Sequence, residues 1–213
     1  MRYDVEFYRT EDKSCPVIEF LDSLNIKMRT KVLRMVHLLE QNGNELREPY
    51  SKHLEDGIFE LRMELGSDIT RVLYFFVVDK KVVLTHGFVK KTQKTPKAQI
   101  ELAKKIPEDI FGKEQMPMIT FRDSLNKRME SENFRKEYED IQPEMDIIRA
   151  IVKARKEQQI TQAELAARTG INQGDISRLE RGTRNPSLNM LKKLASGLGM
   201  QLKIEFLPKA SQI

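Results

Sequence analysis

The chain has 213 residues, of which 39% are hydrophobic and 32% charged; 37 Lys/Arg face 32 Asp/Glu, for a formal net charge of +5 and a pI of about 9.2. That apolar share builds a core and excludes wholesale disorder, while no run approaches the roughly 18 apolar residues of a membrane span and the alternating start Met1-Arg2-Tyr3-Asp4-Val5-Glu6 is not a signal peptide, so no membrane partner and a cytoplasmic location are expected. A single cysteine, Cys15, excludes an internal disulfide framework, and with only three histidines beside it a Cys/His zinc cluster is implausible; no metal and no other cofactor is expected.

In chain order, residues 2–8 read as a strand. Pro16 suits a helix start, with Val17, Phe20, Leu21 and Leu24 as the apolar stripe. A second helix runs from about Lys27 to Gln41; Met28, Val32, Met35, Val36 and Leu39 make its buried face, and Gly43 closes it. Strands follow at 58–65, 70–78 and 82–89, separated by the turns Gly66-Ser67-Asp68 and Asp79-Lys80-Lys81. Pro96 opens a basic helix to about Lys105. Strand, two helices, antiparallel meander and helix make an α+β domain in which a helical pair covers one face of a small sheet. Beyond residue 115 the texture is helical, with helices expected at 120–138, 144–157, 162–169, 173–181 and 188–198, then an alternating tail, Leu202 to Phe206.

The change of texture coincides with Gly112-Lys113-Glu114-Gln115-Met116-Pro117-Met118, which reads as a junction between two proteins joined end to end. Three regions are expected: 1–115, a junction and helical segment at 116–145, and an all-α domain at 146–213. Charge divides along the same lines. Residues 80–105 hold eight Lys and one acid, 117–145 five basic and seven acidic residues, and 146–213 twelve basic and six acidic residues. An acidic stretch between two basic regions suggests a segment able to cover one of them.

Residues 161–182, TQAELAARTGINQGDISRLERG, are the most specific signal. Thr161 and Glu164 form a capping box at a helix start. Gly170 supplies the left-handed residue of a tight turn, Ile171 plugs the space between two helices, and Asn172 caps the second. Ile176 and Leu179 face inward, leaving Gln173, Gly174, Ser177, Arg178 and Arg181 outward. This is helix-turn-helix geometry, whose second helix enters a major groove with its N-terminal residues on base edges. The TQxELAxxxGI…ISRLERGxRNPS pattern, over about 146–200, resembles the Xre/Cro-type helix-turn-helix family. The resemblance implies a compact five-helix domain that binds operator DNA, commonly as a dimer. By position, Gln162 would meet phosphate, Gln173 and Ser177 bases, and Arg178 and Arg184 bases or backbone. Gln suits adenine and Arg suits guanine or phosphate.

The first domain has no GxSxG, P-loop or HExxH. It does carry cations on strands, in IFELRME at 58–64, TRVLYFF at 70–76 and LTHGFVKKTQKTPK at 84–97. Arg62 and Arg71 are expected on the open face of the sheet. Lys90, Lys91 and Lys94 follow the last strand, and Lys52 and His53 precede the first meander strand. Together they read as a phosphate-binding floor. The run KHLEDGIFELR…TRVLYFF…LTHGFVKKTQKTP…IELA resembles the RelE-like toxin superfamily, most closely its HigB branch. The resemblance implies metal-independent cleavage of mRNA on the ribosome, with attack by the ribose 2′-OH on the adjacent phosphate. Arg71 and Arg62 would then stabilise charge on phosphorus, with Lys90 and Lys91 as base, acid or further stabilisers. Lys52, His53 and Lys94 would hold RNA, and Phe88 would stack on a base or pack in the core. His86 shares strand parity with Val82, Leu84 and Phe88 and is read as core; His37 has no assigned role, and Cys15 lacks a cationic helper.

A HigB-like toxin followed by a HigA-like antitoxin is a familiar operon order. Phe121, Leu125, Phe134 and Tyr138 are then the expected toxin contacts, with the acidic run Glu137-Tyr138-Glu139-Asp140 facing basic residues. That run either covers Lys90 and Lys91, or the bound antitoxin is too bulky for the ribosomal A site. A dimer of toxin–antitoxin pairs on a palindromic operator is expected. The alternative is a fused helix-turn-helix regulator whose first domain is a non-catalytic sensory or RNA-binding module.

Overall fold

The computed structural model describes residues 2–90, 94–112 and 118–206. They form two compact units, one ending at Met145 and the other beginning at Asp146. The first is mixed α+β. In order it holds β1 (Asp4–Phe7), α1 (Pro16–Ser23), α2 (Ile26–Asn42), β2 (Ser51–His53), β3 (Ile58–Leu65), β4 (Asp68–Val77), β5 (Lys81–Val89), α3 (Lys97–Gly112), β6 (Ile119–Thr120), α4 (Phe121–Met129), α5 (Glu132–Asp140) and the start of α6 (Gln142–Glu157). Local chemistry sets the helix ends. Pro16 sits in the first turn of α1. The Asn25 side chain accepts from the Met28 N–H at 2.9 Å to open α2.

The sheet has six strands in the order β2-β3-β4-β5-β1-β6. The meander β3-β4-β5 is antiparallel, as its alternating sequence predicts. β1 lies parallel to β5, and the short β2 and β6 extend the two edges. Strands of three and two residues carry too little alternation to be read from sequence.

Cross-strand register sorts the side chains. Ile58, Glu60, Arg62, Arg71, Leu73, Phe75, Val83, His86 and Phe88 share one face. Leu61, Met63, Val72, Tyr74, Val82, Leu84 and Gly87 share the other, where Gly87 lets the Phe20 ring of α1 approach so closely that a Cβ would lie 2.0 Å from it. The first face is not open. Ala103 and Ile106 of α3 pack on Ile58, Leu73, Phe75 and Val83, closing part of it. β5 carries one extra residue: Leu73 pairs with His86 but Tyr74 with Leu84, so Thr85 lies at a bulge. The bulge corrects the expected parity of His86, which shares a face with Arg71 rather than with Val82 and Leu84.

The expected helix at 120–138 is two helices. Thr120 caps α4 and Ser131 caps α5. Both pack within the first unit. Phe121, Phe134 and Tyr138 are buried and Leu125 is half-buried; burying a side chain of that size stabilises by about 1.5–3 kcal/mol. The Phe121 ring lies 6.5 Å from that of Phe7, and the Arg34 guanidinium sits 3.4 Å over the Tyr138 ring.

The segment's ion pairs include some of a sign opposite to the expectation. Arg122 of α4 donates two 2.7 Å bonds to the buried Glu40 of α2, and Arg128 pairs with Asp22 at 2.7 Å. The contacting segment supplies cations here, and residues of α1 and α2 supply the carboxylates. Tyr138 contributes its backbone carbonyl, which accepts from Arg34. These contacts lie on α1, α2 and β1, on the side of the sheet away from Arg71.

The second unit contains the rest of α6, then α7 (Gln162–Thr169), α8 (Gln173–Glu180) and α9 (Leu188–Gly197). Its core joins Ile151, Ala154, Ile160, Leu165, Ile176, Leu179, Met190, Leu194 and Leu198. The described residues of this unit show four helices where the family resemblance implies five. The alternating tail, Leu202 to Phe206, belongs to no helix or strand. Among the described residues no helix is long and apolar enough to cross a membrane.

Candidate nucleic-acid interfaces

The first interface lies at the end of the sheet face that α3 leaves uncovered. Arg62 and Arg71 are direct partners across β3 and β4, and Lys52 is opposite Glu60 across β2 and β3. Glu60, 2% exposed, is their common neighbour. It lies 3.7 Å from Arg71 Nε and 3.5 Å from Arg62 Nε, and accepts from Thr95 Oγ1 at 2.5 Å. Arg71 also faces Glu64 at 3.7 Å and donates to the Thr70 carbonyl at 2.8 Å. Burial lowers the Arg71 pKa, with Glu60 opposing the shift. Arg71 is thus not on an open face: at 2% exposure it is buried between two carboxylates, which is what makes a buried guanidinium tolerable.

Lys90 leaves the end of β5, its backbone N–H bonded to the Ile69 carbonyl at 2.7 Å. Burial first, then Arg71, Arg62 and Lys52, hold its ammonium below the ordinary value, with Glu60 pulling the other way. A lysine in that setting gives up its proton more readily. Lys91 lies outside the described residues. Lys94 is exposed.

Three other residues separate from this cluster. His53 follows Lys52 by one strand position and therefore faces the opposite side, its ring 4.9 Å from that of Phe59; the expected pairing of Lys52 with His53 on one RNA-binding floor is corrected by the period of two. Phe88 shares the face of Arg71 but packs half-buried against the α3-facing core. His86 is buried, bonded to Thr85 Oγ1 at 3.1 Å and Gln99 Oε1 at 2.9 Å, and burial holds its pKa down. Cys15 is buried, and burial pushes its thiol up, as suits an unreactive residue.

Glu60 is the functional candidate that a search for cations overlooks. Its signal is present in IFELRME, two residues before Arg62 and so on the same strand face.

The second interface is α8. The capping box at Thr161 and Glu164 forms, with Glu164 N–H to Thr161 Oγ1 at 3.1 Å and Thr161 N–H to Glu164 Oε2 at 2.6 Å. Gly170 takes φ +67 in the turn, and Asn172 Oδ1 accepts from the Gly174 N–H at 2.8 Å. Gln173, Gly174, Arg178 and Arg181 are exposed on α8 and at its end, Ser177 is half-buried, and Arg184 is exposed beyond it. Gln162, the expected phosphate contact, donates its amide to Glu180 Oε2 at 2.8 Å. Glu180 is fully buried and takes two bonds from Arg155, at 2.6 and 2.7 Å. A buried carboxylate needs those donors, and the bond from Gln162 uses one of its two amide N–H groups. Asp175, which sequence reading did not single out, pairs with both Arg178 and Arg184.

Comparison with known proteins divides the chain in the same way. Residues 19–107 match the family of phage-derived proteins called Gp49-like, and residues 151–203 match a helix-turn-helix family. Two proteins of Sinorhizobium fredii (strain NBRC 101917 / NGR234), both named uncharacterized HTH-type transcriptional regulators, are similar over short stretches. One, y4dL, is 43% identical over 49 residues, which is 23% of this chain and 25% of the relative. The other, y4dJ, is 48% identical over 46 residues, which is 22% of this chain and 60% of the relative. The chain therefore joins a Gp49-like domain to a helix-turn-helix domain.

Proposed function

We propose that the chain is a type II toxin–antitoxin pair in one polypeptide, of the HigB–HigA kind. Its first domain is an mRNA endoribonuclease acting on the ribosome. Residues 118–145 restrain that domain, and the helix-turn-helix represses the pair's own synthesis by binding operator DNA. The observation that carries this reading is the grouping of Lys52, Arg62, Arg71 and Lys90 around Glu60 on one sheet face, within a domain that matches a toxin-related family.

The chemistry follows from that grouping. The ribose 2′-oxygen attacks phosphorus, a new P–O2′ bond forms and the P–O5′ bond breaks, leaving a 2′,3′-cyclic phosphate and a 5′-OH. Glu60 takes the 2′-OH proton and Lys90 delivers a proton to the departing O5′. The depressed pKa of Lys90 favours that delivery. Arg62 and Arg71 stabilise the added charge on phosphorus. The phosphate replaces Glu60 as the anion beside Arg71, so the site engages when that carboxylate yields its partner. Lys91, Lys94 and Lys52 hold the flanking RNA. Segment 118–145 packs on α1, α2 and β1, which favours restraint by bulk at the ribosome over coverage of Lys90.

The test is expression of residues 1–115 alone, with growth arrest and mRNA fragments as readouts and relief by residues 118–213. Glu60→Gln and Lys90→Ala should each abolish cleavage. A folded 1–115 fragment that leaves translation and mRNA intact overturns the ribonuclease reading. The burial of Arg71 against Glu60 and Glu64 favours a second reading, in which these charges serve the fold and the first domain senses or binds RNA without cutting it. RNA retention without fragments would identify that case.

For the second domain, Gln173, Ser177, Arg178, Arg181 and Arg184 read and grip DNA as a dimer on a palindrome. A Gln173→Ala, Arg178→Ala double variant that shifts operator DNA as well as the parent would remove α8 as the reader. Affinity should fall steeply with salt.

A further inference from the structure

Asp175 is the third residue of α8, one turn before Arg178. Its Oδ1 bonds both the Arg178 and the Arg184 guanidinium, two arginines that come from different segments. Arg178 is on the helix, and Arg184 is in the stretch between α8 and α9. Their side chains are 56% and 44% exposed while that of Asp175 is 22% exposed, so the carboxylate lies beneath two outward cations rather than in front of them. Hydrogen bonding from Arg178, with Arg184 adding to it, holds the Asp175 carboxyl below the usual range, so it stays ionised.

A carboxylate beside a DNA-reading helix repels phosphate, and on charge alone it weakens binding to every duplex. A compensating gain must come from geometry. An arginine with a loose side chain loses rotamer freedom when it docks; one already held loses less and arrives in one direction. Each guanidinium carries five N–H donors, so a bond to Asp175 leaves donors for a base edge.

Resting on the DNA-binding reading above, we infer that Asp175 is a positioning residue that sets sequence specificity, holding Arg178 and Arg184 as a fixed pair for base recognition while lowering affinity for DNA in general. Specificity is the difference between cognate and random duplex, and this arrangement raises it from both sides.

The experiment uses the full chain and a randomised 30-base-pair duplex pool, selected and sequenced, followed by affinity measurements on the enriched duplex and on a scrambled one. For the parent, an enriched motif is expected. For Asp175→Asn, binding to the scrambled duplex should strengthen, and the enriched-to-scrambled ratio should fall about tenfold, the scale of one bidentate base contact. The lost motif positions should be those lost in Arg178→Ala or Arg184→Ala, and Asp175→Glu should restore part of the ratio. Thermal unfolding of Asp175→Asn within a few degrees of the parent sets aside a merely structural role. An unchanged ratio and motif in Asp175→Asn would overturn the inference while leaving the DNA-binding reading intact. A parent that enriches no motif would overturn both.

Discussion

The two basic surfaces of this protein use their cations in opposite ways. On the sheet of the first unit, Arg71 is buried and Arg62 is a quarter exposed, and both are partnered by Glu60. On α8, Arg178 is more than half exposed and its carboxylate partner lies inward of it. A strand in a sheet covered on both faces draws its charged side chains into mutual pairs, because an unpaired buried charge costs more than folding can tolerate. A short surface helix leaves its outer side chains in water. The lesson is that the same basic residues form a charge-balanced site in one unit and a ready contact surface in the other.

The comparison breaks most readily at its buried pairs. Arg71→Ala takes from the buried Glu60 one of its two guanidinium neighbours, and Glu180→Ala takes from Arg155 the buried carboxylate it donates to. Each should cost about 3–5 kcal/mol, the scale for removing one partner of a buried pair, measured by urea unfolding followed by circular dichroism. A loss below about 1 kcal/mol for Arg71→Ala, the scale of an exposed ion pair, would mean that its guanidinium reaches solvent and that the two surfaces are alike.

A smaller effect tests the platform of the helix-turn-helix. Thr161→Ala removes the cap of α7 and should cost about 1 kcal/mol by the same measurement. Acid comes next. Burial keeps His86 neutral in the fold, whereas the unfolded chain takes up a proton near the ordinary value of 6.5. Its contribution is therefore complete above about pH 6.5 and declines as pH falls toward the lower folded value. His86→Gln should flatten part of that decline in a series of unfolding curves, and His37, which burial also holds down, supplies a further part. The smallest effect sharpens the contrast with Arg71: Arg178→Ala should change stability by no more than about 0.5 kcal/mol while abolishing preference for operator DNA in a gel shift.

The helix-turn-helix was legible almost residue by residue, because its signals are local. Thr161 with Glu164, Gly170 and Asn172 each act within three residues of themselves, so spacing alone identifies them. The cationic site was only half legible. Period two places Arg62 and Arg71 correctly on the face away from α1 and α2, but it does not reveal that α3 closes part of that face. It also misplaces His86, since one extra residue at Thr85 resets the alternation. Lys31 shows the same limit on a helix: it is not among the apolar residues that mark the buried face of α2, yet it is buried and donates to the Glu64 carbonyl at 2.5 Å.

Sequence by itself determined most of the longer elements, the meander, the caps and turn around α8, and the change of texture between the two parts, all of which depend on neighbours a few residues apart. Only the tertiary structure decided that Glu60 stands among the cations, that Arg122 and Arg128 pair with carboxylates of α1 and α2, and that Gln162 donates to Glu180. Those outcomes join residues that are distant in sequence, and which polar groups must pair is set by what the fold removes from water.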